Sequence, residues 1–105
     1  MHTYCVTFRI GSETVGGDSY AIRRKRLIDN IRVDGRGFWD GTTSFLIVEA
    51  PESTESFAQR ACDGLSAKHD LIIVFDPDDM SMVHFGPVPE ADILASFFRF
   101  AKKLV

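Results

Sequence analysis

The chain has 105 residues, of which 45% are hydrophobic and 26% are charged, and its formal net charge at pH 7 is −3. This length suits one domain with its own hydrophobic core, and the composition excludes an intrinsically disordered chain. The negative net charge gives no overall attraction to nucleic acid, so any such contact needs a local basic patch.

The first half of the chain shows a strand, a helix and a hairpin. Residues 3–10 alternate between apolar and polar side chains, which predicts a strand with one face on a core. A helix is expected from about Tyr20 to Arg32, with Asp18 or Ser19 as its cap. Two strands should follow, one from Phe38 to Thr42 or Thr43 and one over residues 44–49, and the short join between them predicts a hairpin.

The second half begins with a helix capped by Ser53 or Thr54. A strand over residues 71–75 follows, and it is apolar on both faces because all five of its side chains are apolar. A further strand is expected over about residues 80–86. Pro89 and the acids after it then predict a C-terminal helix over about residues 89–104.

The apolar strand at residues 71–75 requires cover on both faces of its sheet, whereas a two-layer domain covers only one. We therefore predict that the C-terminal helix, a partner chain or both lie on the second face. The residues expected to form this cover or a dimer contact are Ile72, Val74, Phe97 and Phe98.

The order β-α-β-β-α-β, followed by a strand and a helix, predicts an α+β fold in one domain. The first six elements, over about residues 3–76, match the ferredoxin-like plan, in which both helices pack on one face. The opposite face would then carry the other side chains of the first strand, which are Thr3, Cys5, Thr7 and Arg9.

Several short motifs recur together in a known group of proteins. They are Thr3-Tyr4, Trp39 ahead of the strand at residues 43–48, residues 70–74 (Asp-Leu-Ile-Ile-Val) and His84-Phe85-Gly86. In these motifs the chain resembles the small ferredoxin-like superfamily of the smaller CRISPR adaptation protein and virulence-associated protein D. The resemblance covers roughly residues 3–86.

The resemblance implies a homodimer, often formed by pairing the last strands of the two copies. Nucleases of that superfamily hold a divalent metal with an acid at the end of the first strand, and this position falls on Phe8 or Arg9 here. Arginine is not a ligand for Mg²⁺, which binds oxygen. The lack of an acid at this position argues against a metal-dependent nuclease. Arg9 is instead a candidate for contact with a phosphate or a carboxylate.

Two clusters of charged residues are candidate sites. Arg23, Arg24, Lys25 and Arg26 lie in the first half of a helix, where the helix dipole disfavours cations, so they form either a solvated face or a patch that contacts phosphate or a partner. Asp76, Asp78 and Asp79 form either an ordinary turn or a cation site. No cofactor is expected, except Mg²⁺ if the chain is a metal-dependent nuclease.

Three isolated residues give weaker signals. His84 is expected to be a packed or interface histidine rather than a general base. A nucleophilic pair of Cys5 with His84 has no local signature to support it. Trp39 is more typical of a core or interface residue than of a base-stacking one, because the Gly-aromatic context of RNA recognition motifs is missing.

The sequence also predicts a cytoplasmic protein without a membrane span. No apolar segment has bilayer length, and the N-terminus lacks a secretory signal. Cys5 and Cys62 have no metal-type spacing and are interpreted as free thiols.

Three functions compete for this chain. The leading hypothesis is a non-catalytic homodimeric interaction protein of the CRISPR-adaptation-like or toxin-antitoxin-like kind. The alternatives are a metal-dependent endoribonuclease that uses the acids at residues 76–79, and a nucleic-acid binding module that uses Arg9 and the basic residues 23–26.

Overall fold

Strands and helices alternate in the order β-α-β-β-α-β-β-α-β in the computed structural model, which describes residues 1–105. The strands are β1 (His2–Arg9), β2 (Phe38–Trp39), β3 (Phe45–Ala50), β4 (Leu71–Asp76), β5 (Ser81–Phe85) and β6 (Phe100–Leu104). The helices are α1 (Tyr20–Ile31), α2 (Thr54–Ala61) and α3 (Ala91–Ser96). The chain is therefore an α+β protein, as predicted.

All six strands join one sheet in the order β2-β3-β1-β4-β5-β6. Every neighbouring pair is antiparallel except β5 with β6, which are parallel. β2 and β3 form the predicted hairpin, but β2 is only two residues long and ends at Trp39. The sheet thus has a very short edge strand on one side and a longer one, β6, on the other.

The hydrophobic core lies between one face of the sheet and the helices α1 and α2. The predicted apolar side chains of β1 are all buried there, and the ring of Tyr4 stacks on Phe57 of α2 with centroids 4.5 Å apart. Both helices begin at serine caps: the hydroxyl of Ser19 accepts from the N–H of Ile22, and that of Ser53 accepts from the N–H of Ser56.

The prediction of one C-terminal helix over residues 89–104 is wrong. Only Ala91–Ser96 is helical, and residues 100–104 form the strand β6 instead. The N–H groups of Arg99 and Phe100 donate to the carbonyl of Met80, which starts the pairing of β6 with β5. Pairing along the free edge of β5 outweighs the helical spacing of the apolar residues, because context readily overrides local propensity.

α3 lies on the face of the sheet opposite α1 and α2. β1 and β5 run in the same direction, but the chain crosses from them toward opposite edges of the sheet, to β2 and to β6. Right-handed connections therefore place their helices on opposite faces. The ring of Phe98, just after α3, packs on Phe75 of that opposite face with centroids 5.4 Å apart.

A candidate interaction surface on the outer sheet face

The outer face is the side of the sheet opposite α1 and α2, and its side chains form rows across the strands. Since paired residues share a face, the strand register defines each row. The first row reads Trp39, Ile47, Cys5, Phe75, Met82, Ala101. The second row reads Phe45, Thr7, Ile73, His84, Lys103. The central strands thus present mainly apolar groups on a side that lacks α1 and α2.

α3 covers only one half of the outer face. Under it, Met82 is 1% exposed and His84 is 8% exposed. On the other half Trp39 is 49% exposed and Ile47 is 36% exposed. We call this uncovered half the open face, and it comprises Cys5, Thr7, Trp39, Phe45, Ile47 and Ile73. The expectation that a C-terminal helix covers the second face is therefore met over only part of the sheet.

Trp39 on the open face is exposed but held in place. Gly41 packs against its indole so closely that a methyl group at position 41 would lie 2.4 Å from the Cζ2 atom of Trp39. The ring of Phe45 meets the indole edge-on, with centroids 6.5 Å apart. A large aromatic side chain with a fixed orientation and an exposed surface is a typical anchor of protein–protein interfaces.

Two of the residues predicted to contact a partner lie elsewhere. Ile72 and Val74 point toward α1 and α2 and are 1% and 0% exposed, so they belong to the core rather than to the outer face. The side chains of β4 that face outward are instead Ile73 and Phe75, so these two residues are the ones that need cover on the outer face. Phe98 packs on Phe75 of the outer face, and its part in a dimer contact stays a prediction.

Arg23 is not part of a basic surface patch. It is 1% exposed and forms an ion pair with Asp70, which is 0% exposed, at 3.0 Å from Nε to Oδ2. Its remaining N–H groups donate to the carbonyls of Gly11, Glu13 and Asp18 and to Asp70. All five guanidinium donors are thus used inside the protein, which excludes a role for Arg23 in binding phosphate.

The other three basic residues of α1 also have partners within the chain. Arg24 donates to the carbonyl of Thr43, and Lys25 pairs with Asp29 at 2.6 Å, as the i,i+4 spacing predicts. Arg26 pairs with Asp18 at 2.8 Å, and this hydrogen bond lowers the pKa of Asp18. These contacts point in different directions, so residues 23–26 do not present one continuous cationic surface.

Arg9 remains an exposed cation at the end of β1, as the alternation predicts. It lines a shallow polar cleft with Lys68 and His69, and His69 pairs with Glu13 at 3.1 Å. Arg9 itself forms no ion pair within the chain. Its charge is therefore free for a contact with another molecule.

The acidic residues after β4 form a turn. An oxygen of Asp76 accepts from the N–H of Asp78 at 2.9 Å, and Asp79 accepts from both the N–H and the hydroxyl of Ser81. The hydroxyl contact is the main reason that the pKa of Asp79 is lowered. No group of three or more His, Cys, Asp or Glu side chains is arranged to hold a metal ion. The carboxylates of Asp76 and Asp79 therefore accept hydrogen bonds within an ordinary turn, and the cation site stays a prediction.

A groove of about 410 Å³ lies between the start of α2 and β6. Its charged side chains Lys102 and Glu55 pair with each other at 2.7 Å, and the hydroxyls of Thr54 and Ser81 also share a hydrogen bond. The groove therefore has its polar groups satisfied within the chain and points to no particular ligand.

The cysteines and His84 form no catalytic pair. Cys5 and His84 belong to different rows and are separated by β4. Burial raises the pKa of the Cys62 thiol to about 12, which makes it a poor nucleophile. The Nδ1 atom of His84 is buried without a hydrogen-bond partner, and burial followed by the charge of Lys103 lowers its pKa.

Sequence reasoning found some features of this surface and missed others. The two-sided apolar character of β4 and the outward side chains of β1 were predicted. The packing of Gly41 on Trp39 was not predicted, whereas Phe97 was already a candidate for sheet cover or a dimer contact. The Gly at position 41 was a usable signal, because a glycine two residues from a tryptophan permits close approach to its ring.

Comparisons with known proteins identify no relative of the chain. No family model, no curated protein and no solved structure matches the chain. None of its helices is long and apolar enough to cross a bilayer.

Proposed function

We propose that this protein is a non-catalytic interaction protein that forms a homodimer through its open face. The observation that carries the proposal is the half-covered apolar sheet surface around the fixed, exposed indole of Trp39. Contiguous exposed apolar surface on a small domain is a mark of an interaction site. Burial of such an apolar surface against another protein surface lowers the free energy, because it removes apolar groups from water.

The same proposal includes the finer fold. β1 to β4 take the order β2-β3-β1-β4 with antiparallel neighbours, and α1 contacts α2 on one side of the sheet. This order supports a ferredoxin-like unit over the first six elements, extended by β5, α3 and β6. A relation to the superfamily of the smaller CRISPR adaptation protein and virulence-associated protein D, and a cytoplasmic role of that kind, stay predictions.

The two alternative functions receive less support from the geometry. For the endoribonuclease, Asp76 is 2% exposed and Asp79 accepts two hydrogen bonds from Ser81, so Asp78 is the one acid of the three whose carboxylate has no hydrogen bond within the chain. For the nucleic-acid binding module, Arg23 is buried and its three neighbours on α1 are engaged separately. The open face therefore supports an interaction function better than these residues support catalysis or nucleic-acid binding.

The test is the oligomeric state of a surface variant in solution. Replacing Ile47 by Asp places a charge in the middle of the open face, so we expect light scattering to show a dimer for the wild type and a monomer for the variant. Ile22→Asp is the matched control, since Ile22 is 47% exposed but lies on α1, on the other side of the sheet. A wild-type protein that stays monomeric at high micromolar concentration would show that the proposal is wrong.

A further inference from the structure

We infer that the occupant of the open face is α3 of a second copy of this chain, and that each copy covers the other in the same way. This inference rests on the proposed function and adds the arrangement of the two copies. The two-fold axis runs parallel to the strands. Phe97 of one copy lies against Trp39 of the other, and Asp92 of one copy lies beside Arg9 of the other.

The shape of the outer face selects this axis. The face has a raised half, which carries α3, and a bare half beside it, which is the open face. Rotation about an axis parallel to the strands exchanges the two halves, so the raised half of each copy fits the bare half of the other. Rotation about an axis across the strands would set α3 against α3 and hold the two open faces apart. The first arrangement is isologous and closed.

α3 is apolar on more than the side that contacts its own sheet. Leu94, Ala95 and Phe98 are half-buried against the chain, but Ile93 is 56% exposed and Phe97 is 71% exposed. A helix that is apolar on several sides is normally buried between two surfaces. Its own sheet supplies only one of them, so the second has to come from outside the chain.

Phe97 and Trp39 lie at about the same position along the strand direction. Phe98, the neighbour of Phe97, packs on Phe75, which belongs to the same cross-strand row as Trp39. Rotation about an axis parallel to the strands leaves this position unchanged. Phe97 of the second copy therefore arrives over the row that begins with Trp39 and Ile47.

Charge complementarity at the other end of the contact favours a second copy over an unrelated partner. The chain leaves β5 at Phe85, which is level with Phe8, so α3 begins near the level of Arg9. Asp92 lies in the first turn of α3 and is exposed, and neither Asp92 nor Arg9 forms an ion pair within the chain. The rotation brings these two unpaired, opposite charges to the same end of the contact, twice per dimer.

The first test compares two exposed phenylalanines. We expect Phe97→Ser to weaken the dimer by about thirtyfold or more, as loss of an aromatic anchor does. Phe100→Ser is the matched control: Phe100 is 60% exposed, but it pairs with Ser81 on the side of the sheet that faces α2. The readout is the dissociation constant from sedimentation over a range of protein concentrations.

The second test exchanges the charges. Arg9→Asp alone and Asp92→Arg alone should each weaken the dimer by about tenfold, because each places like charges together. The double variant should recover most of the loss.

The outcomes separate this inference from the proposed function. If the wild type forms a dimer but Phe97→Ser behaves like Phe100→Ser, or the double charge variant shows no recovery, the arrangement is wrong and the dimer uses the open face differently. If the wild type does not associate at all, the proposed function fails, whatever the variants do.

Discussion

Removal of the negative charge of Asp70 should remove a large part of the stability of this domain. Asp70 is completely buried and accepts hydrogen bonds from Arg23 and from the backbone N–H groups of Gly11 and Ser66. In Asp70→Asn an amide NH₂ replaces one acceptor oxygen, and the guanidinium is left in the interior without a counter-charge. Breaking a buried ion pair in this way costs about 3–5 kcal/mol. A domain of this size has about 5–15 kcal/mol in total.

Replacing both partners should not repair the damage. An isolated buried ion pair is often exchanged for apolar residues at little cost. Here the pair also binds the N–H groups of Gly11 and Ser66 and the carbonyls of Gly11, Glu13 and Asp18. The double variant Arg23→Met, Asp70→Leu leaves those backbone groups without partners, so it should remain less stable than the wild type.

The assay is urea unfolding followed by circular dichroism at one fixed protein concentration, because association changes the apparent stability. Asp29→Asn is the control, since it removes the surface ion pair with Lys25. The side chain of Asp29 is 61% exposed and that of Lys25 is 76% exposed. That loss should stay below about 1 kcal/mol. If Asp70→Asn unfolds at nearly the same urea concentration as Asp29→Asn, the buried pair does not hold the β1–α1 loop as described.

Two further predictions concern the outer face. Because the pKa of His84 is lowered in the folded state, the unfolded state binds more protons below the ordinary histidine pKa, so stability should fall as the pH drops from about 7.5 to 5.5. His84→Gln should show a smaller fall in urea unfolding over that range, and equal falls in both proteins would contradict the assignment. Gly41→Ala should displace Trp39, change its fluorescence emission and weaken the proposed dimer, while its thermal midpoint should change little at a concentration at which the protein is monomeric; an unchanged emission spectrum would refute the contact.

The elements that local signals define were predictable from the sequence. α1 and α2 begin at their serine caps, and β1 alternates as its side chains indicate. The C-terminal segment was not predictable, because residues 97–104 carry helical spacing but meet an unpaired edge of β5 in the fold. Only the three-dimensional position of that edge decides between a helix and a strand.

The burial of Arg23 was hidden within a run of four basic residues. Arg23, Leu27 and Ile31 follow one another at intervals of four and are the buried residues of α1. The sequence therefore contained the stripe that turns Arg23 inward. It did not contain its partner, because Asp70 lies far along the chain and only the folded sheet brings it to the start of α1.

The sequence also did not indicate which side chains of β4 face the helices. The first five residues of β4 are all apolar, so the strand shows no alternation between apolar and polar side chains. The pairing of Val6 with Val74 and of Phe8 with Ile72 settles the question, since the partners in β1 are core residues. Pairing with a strand of clear alternation thus carries the information that β4 lacks.

Quenching of the tryptophan fluorescence by acrylamide tests the central claim most directly. Trp39 is the only tryptophan in the chain, so its emission reports on the open face alone. We expect its accessibility to acrylamide to fall as the protein concentration rises through the range in which the proposed dimer would form. An indole that stays equally accessible from the lowest to the highest concentration would contradict burial of the open face.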